Sequence, residues 1–330
     1  MVASIATVSS QSLGFSSNSL GQAGVIGNTR QGQQQVAVNI ATGNLIVQNR
    51  DDLLKSAGED SSALRTYNSR GQFDDDNGDN WSNGFYRQAL QLFGALNSAN
   101  SYFLRTERDG AQSRYDFNAD SQSYISTDGD GAYDSITYDA AQQHYHWQDG
   151  ASRASAEYAL DGRLQASIAS NGQRSSYRYE AGLISEISDA SGGVMRFEYQ
   201  GNLLQAVHTS ALQDGQSVLQ TRVRYHYDAQ NRLDQVVLDL SPADNDVSDG
   251  NVYITNYSYD GDSTRLANIS QSDGSSLSIG YQLVGGQYRV ASITNALNQR
   301  IGYEYDLANN STSVTDAMQQ VTRYQYDGQG

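Results

Sequence analysis

A tyrosine–aspartate signature recurs through the second half of the chain and limits its fold more than any other feature. Tyr225-His226-Tyr227-Asp228, Tyr257-Ser258-Tyr259-Asp260, Tyr303-Glu304-Tyr305-Asp306 and Tyr324-Gln325-Tyr326-Asp327 share one pattern. Tyr177-Arg178-Tyr179-Glu180 and Phe197-Glu198-Tyr199-Gln200 are degenerate copies. A unit repeated down a chain implies stacked copies of one supersecondary element. Tyr158, Tyr179 and Tyr199 are 21 and 20 residues apart, and Tyr227 and Tyr259 follow after 28 and 32. Tyr281, Tyr305 and Tyr326 return to steps of 22, 24 and 21. The long steps predict inserted loops near Gln213-Asp214-Gly215 and between Pro242 and Gly250.

Within a unit the tyrosine segment alternates as a strand does. Val223, Tyr225 and Tyr227 fall on one face, and Arg222, Arg224 and His226 on the other. A turn follows, then a second strand with an aliphatic pair: Leu164 with Ile168, Leu183 with Ile187, Leu203 with Val207, Leu233 with Val237. Positions four apart on a strand share a face, so each pair is expected to pack on its own tyrosines. Leu266 with Ile269 and Val290 with Ile293 are three apart, and a bulge reconciles them. Asp-Gly, Asn-Gly and Gly-Gly dipeptides, such as Asp161-Gly162, Asn171-Gly172 and Gly192-Gly193, separate the runs and suit tight turns. A two-stranded piece is marginal alone, so units placed side by side must cover one another's edges. An open last strand is expected to make the isolated chain self-associate.

Upstream, residues 1–35 are rich in Ser, Gln, Gly and Asn and read as a flexible leader or loosely docked strap. Residues 36–100 read as a separate amino-terminal β region. Its first hairpin joins Val36–Ile40 to Leu45-Ile46-Val47, and a strand over Ala63–Tyr67 leads to an acidic loop and Trp81. Phe85 to Leu96 fits a short helix or a pair of strands equally well. From 101 to 330 the repeat texture is uniform.

The balance of 37 acidic against 21 basic residues, a net charge of -16, argues against nucleic acid and anionic membrane surfaces as partners. The chain has no cysteine, which excludes disulfides and cysteine–zinc sites. No apolar run approaches the ~20 residues of a membrane helix. The first ten residues lack the basic and apolar regions of a secretory signal, so export is expected by another route.

The combination of Tyr-x-Tyr-Asp, a turn, Arg-Leu or Gly-Leu and an aliphatic three or four residues later resembles the YD repeats of RHS (rearrangement hot spot) proteins. The best copy is Tyr225-His226-Tyr227-Asp228-Ala229-Gln230-Asn231-Arg232-Leu233. Val38-Asn39-Ile40-Ala41-Thr42-Gly43-Asn44-Leu45, Arg65-Thr66-Tyr67-Asn68-Ser69 and Asn77-Gly78-Asp79-Asn80-Trp81 are similar to the start of RHS chains. The resemblance covers residues 36 to 330. It implies an all-β protein of tandem YD-repeat hairpins in a continuous, curled sheet, a partial β-shell. In bacterial members such a shell encloses a toxic C-terminal domain. The implied function is a structural segment that encapsulates and delivers toxic cargo, without enzymatic activity or cofactor. The implied partners are the rest of the shell, its toxin domain and a secretion-system component, and the implied location is outside the cell or on its surface. The chain stops within a repeat at Asp327-Gly328-Gln329-Gly330, and is expected to be the front of a longer protein or a truncated gene.

The residues expected to matter are structural: Tyr179, Tyr199, Tyr227, Tyr259, Tyr281, Tyr305 and Tyr326, with Leu183, Ile187, Leu203, Val207, Leu233 and Val237. For metal, His144 and His146 share a strand face and meet Asp139 or Asp149 as candidate co-ligands, without a placed third ligand. Asp74 and Asp76 belong to a calcium-like run, but position six from Asp74 is Asp79 where the loop needs glycine. The run from Asp244 fails in the same way. No nucleophile elbow, P-loop or dinucleotide fingerprint is present. Two other functions compete with the shell: an extracellular adhesion or carbohydrate-binding β module using exposed aromatics, and a hydrolase with paired carboxylates in a cleft.

Overall fold

The computed structural model describes residues 15–20, 34–55, 60–70, 77–83, 89–106, 112–126, 133–213 and 216–326. All regular structure in them is strand. A small antiparallel sheet takes its strands in sequence order: β1 (Phe15–Leu20), β2 (Gln34–Asn39), β3 (Leu45–Leu54), β4 (Ser61–Asn68) and β5 (Trp81–Asn83). The long sheet opens with β6 (Leu90–Phe93), β7 (Tyr102–Thr106), β8 (Gln112–Asn118), β9 (Ser123–Ile125), β10 (Ser135–Asp139), β11 (His144–Gln148), β12 (Ser155–Tyr158) and β13 (Leu164–Ile168). It continues through β14 (Arg174–Glu180), β15 (Leu183–Ser188), β16 (Val194–Gln200), β17 (Leu203–Gln213), β18 (Gln216–Tyr227), β19 (Leu233–Asp239) and β20 (Val252–Tyr259). It ends with β21 (Leu266–Gln271), β22 (Ser276–Val284), β23 (Gln287–Asn295), β24 (Arg300–Asp306), β25 (Ser311–Thr315) and β26 (Val321–Gln325). From β6 to β26 each strand pairs antiparallel with the next in sequence.

The bulge expected in two units occurs in six. Register shifts at Glu157/Tyr158, Arg178/Tyr179, Glu198/Tyr199, His226/Tyr227, Ser258/Tyr259 and Gly280/Tyr281 always precede the second tyrosine of the signature. The partner strand carries the extra residue. Arg178 faces Glu186 and Tyr179 faces Ile184, which leaves Ser185 without an opposite number. One extra residue converts same-face spacing from two to three. The aliphatic pairs in the core are accordingly Ile184 with Ile187, Leu204 with Val207, Leu233 with Val236, Leu266 with Ile269 and Val290 with Ile293. The four-residue pairing expected for Leu183, Leu203 and Val237 gives way to this spacing. Leu183 and Val237 are buried at 8% and 7% exposure outside the main apolar cluster, and Leu203 is half-buried.

The bulge also creates a need. The ladders from each aliphatic strand to the next unit begin at Ala166, Ala206, Gln235, Asn268 and Ser292. Each starts two residues past the first core aliphatic, so that residue's carbonyl lies outside the ladder. The next unit's tyrosine hydroxyl fills the gap. Tyr179 donates to the Leu164 carbonyl at 2.9 Å, Tyr227 to Leu204 at 3.0 Å, Tyr259 to Leu233 at 2.6 Å, Tyr281 to Leu266 at 2.9 Å and Tyr305 to Val290 at 2.7 Å. At four of these the arginine just before the acceptor lies over the same tyrosine ring: Arg163, Arg232, Arg265 and Arg289, at 5.7, 4.5, 5.9 and 5.5 Å from the centroid. This explains the Arg-Leu dipeptide of the repeat.

The aspartate that follows closes the turn. Asp228 accepts the Gln230 and Arg232 amides at 2.9 Å each, and Asn231 takes a positive φ of 60°. The first aromatic lies deepest in five of the six signatures: Tyr177, Phe197, Tyr225, Tyr257 and Tyr303 are at most 7% exposed, whereas Tyr324 in the last is half-buried. Tyr179, Tyr199, Tyr227, Tyr259, Tyr281 and Tyr305 are partly buried against the same cluster. Tyr326 is half-buried.

The sheet curls at its start. The Arg105 Nε on β7 donates to the Tyr158 hydroxyl on β12 at 2.9 Å, and the Leu90 amide on β6 donates to the Gly162 carbonyl beyond β12 at 3.0 Å. Five strand steps in a flat sheet span about 24 Å, beyond the reach of an arginine. The curl encloses Leu90, Phe103, Tyr115, Tyr124, Ile136, Tyr145, Trp147 and Tyr158.

The small sheet packs on the tyrosine face of β14–β25 in a single core. Leu54 at one end of β3 lies beside Gly193 in the turn before β16, and the Gly43 carbonyl just before β3 accepts the Val290 amide of β23 at 3.0 Å. Seven strand spacings from β16 to β23 cover about 34 Å, and ten residues of β3 cover about 33 Å. So β3 runs across the repeat strands, an orthogonal packing of two sheets.

Three expectations for the first hundred residues meet the structure. Leu90–Phe93 is strand where a helix was one alternative, and residues 84–88 lie outside the described set. The leader over 1–35 is described only at Phe15–Leu20, which adds a strand to β2, and at buried Gln34 and exposed Gln35, which begin β2. The predicted loop between Pro242 and Gly250 is present, closed by the Leu240 amide on the Asn251 carbonyl at 2.9 Å, whereas Asp214-Gly215 lies outside the described residues.

The hydroxyl-to-carbonyl fastening predicts a graded response at one position. Tyr227→Ala should lower unfolding free energy by about 3–5 kcal/mol. Tyr227→Phe, which keeps the ring and orphans one carbonyl, should cost about 1–3 kcal/mol. Equilibrium denaturation measures both, and a Phe variant as stable as the parent contradicts the fastening.

Candidate functional site

The polar centre of the molecule lies where the small sheet meets the long one. Strand β3 begins as an apolar run, Leu45-Ile46-Val47, and ends in Leu53-Leu54, yet Asp51 and Asp52 between them are 2% and 0% exposed. A carboxylate taken out of water must find partners. Asp51 takes a bidentate pair from Arg65 on β4, with Nε to Oδ2 at 2.8 Å and Nη2 to Oδ1 at 2.9 Å. It also accepts the Asn49 Nδ2 at 2.6 Å and the Tyr225 hydroxyl at 2.9 Å. Arg65 donates its Nη1 to the Tyr257 hydroxyl at 2.9 Å, and Gln34 donates to the same hydroxyl at 2.6 Å. The guanidinium stacks 4.5 Å from the Trp81 ring centroid.

The first tyrosines of two repeats, Tyr225 and Tyr257, thus end on an ion pair carried by the small sheet. Burial pushes both phenols above their ordinary value, so they stay protonated, Tyr225 as a donor to Asp51 and Tyr257 as an acceptor from Arg65 and Gln34. Burial alone works against the Arg65 charge, but Asp51 holds the guanidinium firmly protonated.

Four further side chains, those of Asp52, Asp79, Tyr67 and Trp81, extend the seam. Thr209 donates to Asp52 Oδ2, and the Leu53 amide donates to Asp52 Oδ1 at 2.8 Å. Burial raises the Asp52 carboxyl above the usual carboxylate value, and the Thr209 bond counters it. Asp79 accepts the Trp81 and Leu233 amides, each at 2.9 Å. The Tyr67 hydroxyl donates to the Thr264 carbonyl at 2.8 Å and accepts the Leu266 amide at 3.0 Å. Trp81 Nε1 donates to the Tyr259 hydroxyl at 3.1 Å. A cavity beside Asp51, lined also by Asn49, Val223, Val236, Tyr253 and Gln271, offers about 20 Å³ to water. That accommodates a water molecule and is far too small for a sugar ring.

A second polar centre sits inside the amino-terminal curl. Tyr115 donates to Asp134 at 3.3 Å and accepts Trp147 Nε1 at 3.1 Å, while Arg105 lies 3.7 Å from the Trp147 ring centroid. Burial raises the Asp134 carboxyl and lifts the Tyr115 phenol to about 12.

The metal candidates do not converge among the described residues. His144 is buried and His146 half-buried on β11, opposite Asp139 and Thr137. Tyr145 and Trp147 between them face the curl's core. No group of three His, Cys, Asp or Glu side chains comes together among the described residues. Asp74 and Asp76 lie outside them. The Asp149 side chain accepts the Ala151 and Ser152 amides of its own turn. No helix among the described residues is long and apolar enough to cross a membrane.

Sequence reasoning named the second tyrosine of each unit and missed Asp51, Asp52 and the role of Arg65. The available signal was an acidic pair interrupting an apolar strand.

No family model matches the chain, and no curated protein matches it. Solved structures similar to it include components of Tc toxins. A TcdB2-TccC3 crystal structure without the hypervariable C-terminal region is 12% identical with a TM-score of 0.35, over 87% of this chain and 18% of that one. A Photorhabdus luminescens Tc holotoxin pore with a substituted TccC3 is 9% identical with a TM-score of 0.31, over 91% and 22%. A second TcdB2-TccC3 crystal structure is 10% identical with a TM-score of 0.31, over 89% and 22%. The chain therefore spans about a fifth of the length of these structures.

Two outcomes follow from the seam. Arg65→Met leaves Asp51 buried without its cation and should destabilise the protein by about 3–5 kcal/mol. In a double-mutant cycle with Asp51→Asn the two losses should be strongly non-additive, and additive losses contradict a direct pair. The raised Asp52 value means that the native state holds this proton more tightly than the unfolded chain. Its contribution to stability therefore falls as pH rises through the native pKa. Relative to Asp52→Asn, the parent should gain stability as the pH is lowered from about 7 to about 4. Thermal melts across that range check the sign, and a parent that loses ground on acidification refutes it.

Proposed function

We propose that this chain is a structural segment of an RHS-type shell that encloses and delivers a toxic cargo domain, with no catalytic role of its own. The supporting observation is that five units are fastened to their predecessors in the same way, through a short ladder completed by the hydroxyl of Tyr179, Tyr227, Tyr259, Tyr281 or Tyr305. Such a sheet is lengthened by adding units and needs no new interface, as a container wall requires. The resemblance of the repeats to YD sequences points the same way. The site chemistry agrees with it: the buried carboxylates are saturated with donors, and the cavity beside them is water-sized. The proposed partners are the remainder of the shell, the enclosed domain and a secretion-system component. The proposed location is outside the cell or on its surface, reached by an export route the chain does not reveal.

The test starts from the genomic locus. The reading is supported if the locus encodes further repeats, a variable distal domain and an adjacent immunity gene. The encoded full-length protein, co-expressed with that immunity gene, should shield the distal domain from trypsin under conditions that digest the isolated domain. Equal digestion rates in and out of the full-length protein refute the reading.

A further inference from the structure

The 28-residue step between Tyr199 and Tyr227 is taken up by one long hairpin. Strands β17 and β18 have 11 and 12 residues and stay paired from Ala206 and Arg224 out to Gln213 and Gln216. Their neighbours stop short. Strand β16 pairs with β17 only as far as Thr209, and β19 pairs with β18 only between Val223 and Tyr227. Arg222, unopposed at the register shift between Val207 and His208, marks where β18 leaves the sheet. Beyond it, no backbone hydrogen bond among the described residues reaches Gln216–Thr221 from the β19 side. The loop between β19 and β20 turns back over the outer face instead, where Asn245 accepts from Arg224 Nη2 at 2.7 Å.

A free strand edge is a template for another strand, and proteins ordinarily guard it with a charge, a proline, a bulge or a covering loop. The run Gln216-Ser217-Val218-Leu219-Gln220-Thr221 holds no charge and no proline. Between Tyr199 and Thr221, Asp214 is the one Asp, Glu, Lys or Arg, although 18% of the chain is charged. The last strand, β26, by contrast carries Arg323 at its centre. Gln216, Ser217 and Leu219 are exposed, Leu219 at 41%.

The charge pattern selects the occupant. An unlike partner of a chain at -16 is steered to it by opposite charge, and this edge offers no charge to meet. Two copies of the chain repel each other except where acidic groups are missing, and the hairpin is such a place. Identical strands also pair antiparallel about a two-fold axis, each presenting the same surface to the other. That axis stands normal to the sheet, so outer residues meet outer residues and the central residue faces its own counterpart. Leu219 lies on the outer face, because Thr209, opposite Gln220, reaches inward to Asp52 and Leu219 is the next residue along. Centring the axis on Leu219 sets two exposed leucines against each other, a favourable cross-strand pair.

We infer that Gln216–Thr221 is a docking edge for a second copy of this chain, paired antiparallel about Leu219 so that the two long sheets run on as one. The inference stands apart from the shell reading. A single six-residue strand falls short of the roughly 800 Å² per partner that a standard interface buries, so the dimer is reversible. Because both copies are acidic, salt strengthens it.

Sedimentation equilibrium of the purified chain, over rising concentration at low and high salt, tests this. A monomer–dimer equilibrium is expected, shifted toward dimer by salt. Leu219→Lys sets like charges opposite each other and should weaken the dimer about tenfold or more. Val321→Lys, on β26, should leave it unchanged. The chain has no cysteine, so single cysteines report the register. Leu219→Cys should give a covalent dimer under mild oxidation, because directly opposite Cα atoms lie about 4.5–5.5 Å apart, within disulfide reach. Ser217→Cys should not, because the two-fold axis leaves its copies four residues apart, about 13 Å. A chain still monomeric at about 1 mM overturns the inference. Association that survives Leu219→Lys, association abolished by Val321→Lys, or cross-linking through Ser217 in place of Leu219 overturns it as well.

Discussion

The structure depends on satisfying one carbonyl per repeat. A bulge ahead of the second tyrosine shortens the ladder to the next unit, and a buried carbonyl without a donor costs as much as a lost hydrogen bond. Only a side chain reaching across from the neighbouring strand can supply that donor. It must also be apolar enough to fill the gap the bulge opens. Tyrosine meets both requirements: its ring packs with the aliphatics, and its hydroxyl stands at the far end. The arginine before the acceptor then lies over the ring. Local turn chemistry, strand register and inter-unit cohesion thus converge on a few positions in about 21 residues.

The first tyrosine of the signature has a different task. It points deeper, into the core shared with the small sheet, and where it meets β3 and β4 its hydroxyl bonds buried charge, Tyr225 donating to Asp51 and Tyr257 accepting from Arg65. The Asp51–Arg65 pair is held between Tyr225, Tyr257 and Trp81. A buried pair of this kind adds little net stability over apolar residues of the same size, because desolvation offsets the attraction. What it does supply is register. Sliding β3 along the repeats by one residue would strand two carboxylates against aliphatic side chains. The seam therefore fixes where the small sheet sits, while the aliphatic core fixes that it sits there at all.

Much of the fold was legible because it rests on local periodicity. The two-stranded repeat unit, the inward face of Val223, Tyr225 and Tyr227, and the turn residues follow from spacing alone. The three-residue aliphatic spacing was visible at Leu266 and Ile269, yet was taken as the exception. The leucine pairs at Leu183-Ile184 and Leu203-Leu204 offered two possible registers, and only the bulge selects the second member. The seam was less legible because it joins residues more than 150 positions apart, as Asp51 and Tyr225 are 174 apart. No local pattern specifies which distant phenol a buried carboxylate will meet. The curl at the start of the sheet was hidden for the same reason, since Arg105 and Tyr158 belong to different units.

A chain assembled in this way is one regular sheet with a smaller sheet laid across it. Its polar interior is spent on holding strands to strands, and its regularity permits extension. The most direct measurement is the carbonyl ¹³C resonance of Leu266, observed in selectively labelled protein with and without the Tyr281 hydroxyl, using Tyr281→Phe. The account predicts that this resonance moves upfield, as a carbonyl does on losing a hydrogen-bond donor, while the carbonyls of Asn268 and Ser270 in the adjoining ladder stay in place. A Leu266 resonance that does not move, in a variant that remains folded, would contradict it.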